Sequence, residues 1–224
     1  MEQNFLVDQF FKGGPMMWPL LICSLIALGV IIDRLWSLGR VPTEEQAEEQ
    51  LNAAEEILKN QGEKGAIENF RQGRGVLNFI FAALVKRYDT LVLENRTDIE
   101  DMRQELITAT EEAGEIYLGR LLNALGTIGV LSPLMGLLGT IIGMIRAFDA
   151  IARAGAGDPA AVASGISEAL ITTASGLIVA IPTIVFHRYL SGRAEKVFKS
   201  VELYCHAFAN TLLVRFQAGQ QNQG

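Results

Sequence analysis

The chain has 224 residues, a formal net charge of −6 and a mean hydropathy of +0.26; half of its residues are hydrophobic and a fifth are charged. The two sets are segregated along the chain, the pattern of a membrane protein with one sizeable water-exposed region rather than of a soluble domain. The acidic excess lies mostly between residues 43 and 115 with no clustered basic face, which argues against nucleic acid as a partner, and Cys23 and Cys205 give neither a disulfide framework nor a metal spacing.

Residues 1–12 place Phe5, Leu6, Val7, Phe10 and Phe11 among Glu2, Asp8 and Lys12. They read either as a short amphipathic helix on a membrane surface or as a partly ordered tail. Acidic residues ahead of the apolar run, and no small-residue cleavage site behind it, argue against a cleaved signal. Gly13-Gly14-Pro15 breaks one helix and restarts another, with proline suited to a first turn. Residues 13–36 then form a first transmembrane helix. Lys12 and Asp33 enclose twenty uncharged residues, enough to cross a bilayer core. Trp18 and Trp36 stand near its ends, where interfacial aromatic belts are expected.

Residues 37–120 differ in kind and read as a water-exposed helical region. Thr43-Glu-Glu-Gln46 fits a capping box, and Glu44, Glu45, Glu48 and Glu49 load the start of that helix where the macrodipole favours anions. The helix is expected to reach Lys59, with a second short helix over Glu63–Gln72 between Gly62 and Gly73. Val76–Val85 is apolar, but its uncharged run of eleven residues from Gly75 is too short to span. It is expected to be a core helix continuing towards Leu93. Thr97-Asp-Ile-Glu100 is a second capping box, opening a long helix that runs into the membrane at Leu121. The charged faces read as solvated surface, with a docking patch as the sharper alternative.

Residues 121–148 form the second transmembrane helix, with 25 uncharged residues from Leu121 to Ile145. Its glycines recur seven apart at Gly129, Gly136 and Gly143, and Gly139–Gly143 is a GxxxG pair. With Gly176 in the third span they are expected to pack helices, because small residues let helices approach closely in lipid. Pro133 and Pro182 are expected to kink their helices, each freeing a carbonyl that needs a hydroxyl or water. Residues 149–167 read as a short loop rich in Ala and Gly. Residues 168–190 form the third transmembrane helix. Residues 191–224 continue it as an amphipathic helix, with Val197, Val201, Tyr204, Phe208 and Leu212 on one face, and end in a tail.

Glu168, Thr172 and Ser175 fall at i, i+4 and i+7 on the third span, with Thr173 beside them. Hydroxyls in membrane helices often bond back to their own helix. Four polar residues within eight favour a polar cavity instead. A carboxylate deep in lipid costs about 2.5–3.5 kcal/mol, so Glu168 belongs near an interface or a protein-lined cavity. No span carries a carboxylate near its middle, since Asp33 and Glu168 sit at ends. A proton relay needs titratable groups within the membrane, so a partner is expected to bring one. The fold expected is an all-α membrane protein of three transmembrane helices with long helical extensions into the cytoplasm, homo-oligomeric around a central pore that houses a partner helix. Lys and Arg near the span ends put residues 37–120 and the C-terminus in the cytoplasm and the N-terminus outside. Arg146 and Arg153 count against this without reversing it.

Three stretches carry a family resemblance: Gly13-Gly-Pro-Met-Met-Trp-Pro-Leu20, Gly136-Leu-Leu-Gly-Thr140-Ile-Ile-Gly143, and Gly165-Ile-Ser-Glu-Ala-Leu-Ile-Thr-Thr-Ala-Ser-Gly-Leu-Ile-Val-Ala-Ile-Pro182. On these the chain resembles the MotA/TolQ/ExbB proton-channel family, and within it the ExbB and TolQ type. The resemblance implies a homopentamer in the bacterial inner membrane. Its pore would enclose the single spans of an ExbD- or TolR-like partner with a transmembrane Asp. Proton flow would drive one against the other, and force would pass to a TonB- or TolA-like protein across the periplasm. By motif position Thr140 and Thr173 match pore-lining threonines and Glu168 an acidic residue at the outer end of the third span. Thr172 and Ser175 are carried over to the proton pathway less firmly.

The leading function expected is an ExbB-like motor subunit energising outer-membrane transport. A TolQ-like role in envelope integrity, division or gliding is the alternative. From another class, a passive membrane scaffold explains the glycine seam but not the polar cluster. Flagellar-type stators usually show four spans. No cofactor is expected beyond membrane lipids and the coupling ion, with sodium open beside protons. An enzyme is the least expected class, because His187 and His206 have no partner constellation.

Overall fold

The computed structural model describes residues 2–39, 43–154 and 159–221. Six helices follow one another: α1 (Glu2–Lys12), α2 (Met17–Gly39), α3 (Glu44–Gln72), α4 (Val76–Leu93), α5 (Ile99–Ala154) and α6 (Pro159–Gln221). Among the described residues there is no strand. Three of the helices, α2, α5 and α6, are long and apolar enough to cross a membrane.

Local sequence sets most of the ends. The Thr43 side chain accepts from the Gln46 N–H at 3.4 Å and the Gln46 side chain accepts from the Thr43 N–H at 3.2 Å, a reciprocal cap on α3. The two segments expected on either side of Gly62 are joined there, with Gly62 at φ 68, a left-handed value that glycine adopts without steric cost. α4 closes on Asn95 at φ 54. The Asn95 N–H donates to Val92 O and the Arg96 N–H to Leu91 O, which satisfies the last free carbonyls. The start of α5 departs from expectation. The cap is Asp98, not Thr97: its carboxylate accepts from the Glu100 N–H at 2.9 Å and from the Asp101 N–H at 3.4 Å. A charged acceptor at a helix N-terminus also answers the macrodipole, which a threonine hydroxyl does not.

Two boundaries need larger correction. Residues 149–167, expected as a loop, are largely helical. α5 continues to Ala154 and α6 already begins at Pro159. Alanine is the best helix former and proline fits a first helical position, so the composition read as a linker extends both spans. The first span is Met17–Gly39 rather than 13–36, because Gly13 and Gly14 belong to the turn after α1. Residues 2–12 form a helix rather than a tail, with the Phe10 ring edge-on to Trp18 at 5.1 Å. Pro133 and Pro182, expected as kinks, lie inside α5 and α6. The Ser132 and Thr183 hydroxyls donate to Ile128 O and Val179 O, each one residue away from the carbonyl the neighbouring proline leaves without its N–H.

The chain divides into two compact units, and α5 and α6 contribute to both. Residues 1–37 and 121–190 form the first, residues 38–120 and 191–224 the second. In the second, α3, α4 and the parts of α5 and α6 within it enclose a dry core. Phe70, Phe81 and Phe208 meet at its centre, with centroids of Phe81 and Phe208 4.5 Å apart. Leu58, Ile80, Leu84, Met102, Leu106 and Leu212 are fully buried around them. Val197, Val201, Phe208 and Leu212, four of the face expected from their spacing, are buried, whereas Tyr204 is half-buried and donates its hydroxyl to Glu44 O at 3.3 Å. Cys205 is a core residue, and burial pushes its thiol up to about 12. At the rim, Arg87 pairs with Glu105 across α4 and α5, and Arg215 pairs with Glu63 at 3.1 Å. That contact raises the Arg87 guanidinium and holds the Glu105 carboxyl below its ordinary range.

Candidate functional site

The first unit is organised by the antiparallel contact of α5 with α6. A Cβ at Gly143 would lie 2.8 Å from Gly165 O, one at Gly136 3.1 Å from Thr173 Cα, and one at Gly176 2.6 Å from Ser132 O. One at Gly139 would overlap the Thr172 side chain, and one at Gly129 would lie 2.8 Å from the Ile184 side chain. The five glycines expected to pack helices, and Gly165 from a stretch expected to be loop, each have an atom of the facing helix within 3.1 Å of their Cβ position. Because lipid tails are as apolar as leucine, burial gives these helices no drive to associate; close backbone packing and hydrogen bonds must supply it. The large side chains, Val130, Leu134, Ile178 and Ile181 among them, point outward.

This close approach brings the hydroxyls together. Thr140 and Thr173 are hydrogen-bonded to each other across the seam. Gly136 O lies 3.2 Å from the Thr140 hydroxyl and 3.1 Å from that of Thr173. Each hydroxyl has one proton, so one donates to the other, which in turn donates to the Gly136 carbonyl. That arrangement leaves oxygen lone pairs able to accept a hydrogen bond from outside the chain. Both residues are only part-buried, so the pair is reachable. Each hydroxyl can both donate and accept a hydrogen bond.

The polar stripe of α6 is divided among separate tasks. Thr172 is 0% exposed; its hydroxyl donates to Gly13 O at 2.7 Å, with Glu168 O also within reach at 2.8 Å. It braces the turn after α1 and is buried within this chain. The Ser175 hydroxyl donates to Ile171 O at 2.8 Å, the back-bonding that a lone hydroxyl adopts in a helix without other partners. Glu168 pairs with Arg146 at 2.5 Å, and its side chain is 18% exposed. A Cβ on Gly14 would run into the Glu168 carboxylate, and Gly14 has φ +70, so both space and backbone call for glycine there.

The expected site residues thus separate into three groups: the Thr140–Thr173 pair, Glu168 (paired with Arg146) and Thr172 at the Gly13–Gly14 turn, and Ser175 alone. The sequence signalled neither Gly13 nor Arg146 as a partner. Gly13-Gly14-Pro15 reads as a helix breaker, and Thr172 is 159 residues from the carbonyl it meets. Among the described residues no group of three or more His, Cys, Asp or Glu could hold a metal ion.

Residues 73–203 match the family model described as the MotA/TolQ/ExbB proton channel family. The chain is 37% identical over 188 residues to a putative biopolymer transport protein, ExbB-like 1, of Synechocystis, covering 83% of this chain and 70% of that protein. It is 30% identical over 193 residues to biopolymer transport protein exbB1 of Vibrio cholerae, covering 84% and 80%. It is 29% identical over 222 residues to the Tol-Pal system protein TolQ of Haemophilus influenzae, covering 94% of each. The family is one of proton channels, not an enzyme family.

Proposed function

This chain belongs to the MotA/TolQ/ExbB proton channel family, and we propose that it is the pore-forming subunit of a proton-driven motor in the inner membrane. Five copies surround a pore occupied by the single span of an ExbD- or TolR-like partner. The observation that carries this reading is the Thr140–Thr173 pair. It is a part-buried pair of hydroxyls bonded to each other across the glycine seam. Around it the chain offers no mid-span carboxylate, so the partner brings the group that takes up and releases the proton. The two threonines solvate that carboxyl in its neutral and charged forms, and Glu168 with Arg146 stands at the outer end of the path. Residues 37–120 and 191–224 lie in the cytoplasm, and the turn at Gly13–Gly14 lies on the periplasmic side.

One elementary charge crossing about 100 mV releases about 2.3 kcal/mol. That biases a two-state rearrangement, and larger work takes several protons. The ExbB-like relatives favour energising a TonB-type protein for outer-membrane transport. The match to TolQ over nearly the whole chain gives the Tol-type role comparable support. The experiment is proton flux across vesicles holding the complex, with Thr140→Val and Thr173→Val. The expected result is normal assembly with flux reduced at least about tenfold, because removing one positioned hydrogen-bond partner of a charged group is worth about 1.5–3 kcal/mol. Normal work from the double variant would instead favour a passive scaffold.

A further inference from the structure

The second unit contains an open groove of about 800 Å³ between α3, α4 and α5. Its lining combines the apolar and aromatic side chains of Ile67, Phe79 and Tyr117, the last two with ring centroids 5.3 Å apart, with the cations Arg71, Arg74 and Lys86. No carboxylate lines the groove. Among the described residues none of these three cations pairs with an acid, whereas Arg87, the next residue after Lys86, is held by Glu105. At the same rim α4 starts at Gly75 with no side chain capping it. Three unneutralised cations in the part of the chain richest in acidic residues are a local reversal of charge. Exposed charges that merely solvate a surface do not require an apolar floor beside them. An anion with an attached hydrocarbon portion satisfies both kinds of lining residue.

Tyr117 stands four residues before Leu121, where the uncharged run of α5 begins, about 6 Å along the helix axis. Tyr117 thus stands beside the start of the apolar stretch of α5, where tyrosine is enriched at membrane interfaces, and basic pockets next to such helix ends take lipid headgroups. We propose that this groove binds an anionic phospholipid, with the phosphate held by Arg71, Arg74 and Lys86 and the glycerol and upper acyl portion against Ile67, Phe79 and Tyr117. The assignment does not depend on the motor reading; it requires only that α5 crosses the membrane.

The test is native mass spectrometry of the full chain with phosphatidylglycerol or phosphatidylcholine, for the wild type and for the variant Arg71→Gln/Arg74→Gln/Lys86→Gln. Lys59→Gln, an exposed cation of α3 outside the groove, is the control. Each surface cation is worth about 1 kcal/mol towards an anionic lipid, so the triple variant should lose about 100-fold in affinity for phosphatidylglycerol while the control loses little. The three side chains are exposed and unpaired, so the variant should keep the wild-type helical content, which circular dichroism checks. Equal retention of the two lipids, or no loss in the triple variant, would overturn the proposal. So would competition by soluble glycerol phosphate as strong as that by the lipid, which would make the groove a site for a free anion. A disulfide or bifunctional cross-link formed by the variant Arg74→Cys to a second copy of the chain, in lipid-replete membranes, would make it a subunit contact and overturn it equally.

Discussion

The two units of this chain solve the packing problem with opposite materials. In one, α5 and α6 meet through Gly129, Gly136, Gly139, Gly143, Gly165 and Gly176, with backbone on backbone and hydroxyls in the gaps. In the other, Phe70, Phe81 and Phe208 fill the centre, with leucines and Met102 around them. The difference follows from the solvent. In water, burying a large apolar side chain contributes about 1.5–3 kcal/mol, so bulk stabilises. In lipid that gain vanishes, and what remains is contact density and hydrogen bonding, which small residues permit. It also explains where polar chemistry is placed. A seam of glycines leaves room for Thr140 and Thr173 to meet between helices, whereas an aromatic core has no such place.

Substitutions that exchange the two materials should be the most damaging. Phe208→Ala removes the ring shared by Phe70 and Phe81 and should cost about 3–5 kcal/mol of stability in the second unit, read as a lowered midpoint of thermal or denaturant unfolding. A loss under 1 kcal/mol would mean that the core collapses freely around the gap.

The complementary error is bulk in the seam. Gly176→Val would place a side chain where a Cβ is already 2.6 Å from Ser132 O, and a backbone oxygen cannot turn aside. Overpacking of this kind typically costs about 1–3 kcal/mol. It should appear as reduced stability of the detergent-solubilised chain. Gly29→Ala is the control, since nothing lies within 4 Å of its Cβ position, and it should be tolerated. Equal effects at the two positions would contradict the seam.

The smallest effect expected is at the rim of the aqueous unit. Arg87 keeps the Glu105 carboxyl below its ordinary range, so the pair's contribution is fully present above that ordinary value and is lost as pH falls through the lowered one. Glu105→Gln should lower the unfolding midpoint at neutral pH, and the gap from the wild type should close in acid. A gap that persists unchanged in acid would show that the pair acts by packing rather than by charge.

What was legible in the sequence follows the same division. Local rules found the cap at Thr43, the break at Gly62 and the glycine seam, because each is written within a few residues. Apolar length found α2, α5 and α6. Composition misled at residues 149–167, where alanine and glycine suit a loop and a helix alike and the long flanking helices decide the matter. The polar stripe of α6 was legible only in part. Spacing put Glu168, Thr172 and Ser175 on one face, but what Glu168 and Thr172 meet depends on Arg146 and Gly13, which no local pattern pairs with them, while Ser175 bonds back to its own helix. Thr140 and Thr173 were named by motif position; that their hydroxyls touch is a fact of the fold.

The central claim is that this chain supplies a hydroxylated pore and a partner supplies the titrating carboxylate. The most direct measurement is the mass of the complex taken from native membranes, with every co-purifying chain identified. The account predicts five copies of this chain together with a single-span protein carrying an Asp near the middle of its span. A homo-oligomer without such a partner, from membranes at native expression level, would contradict it.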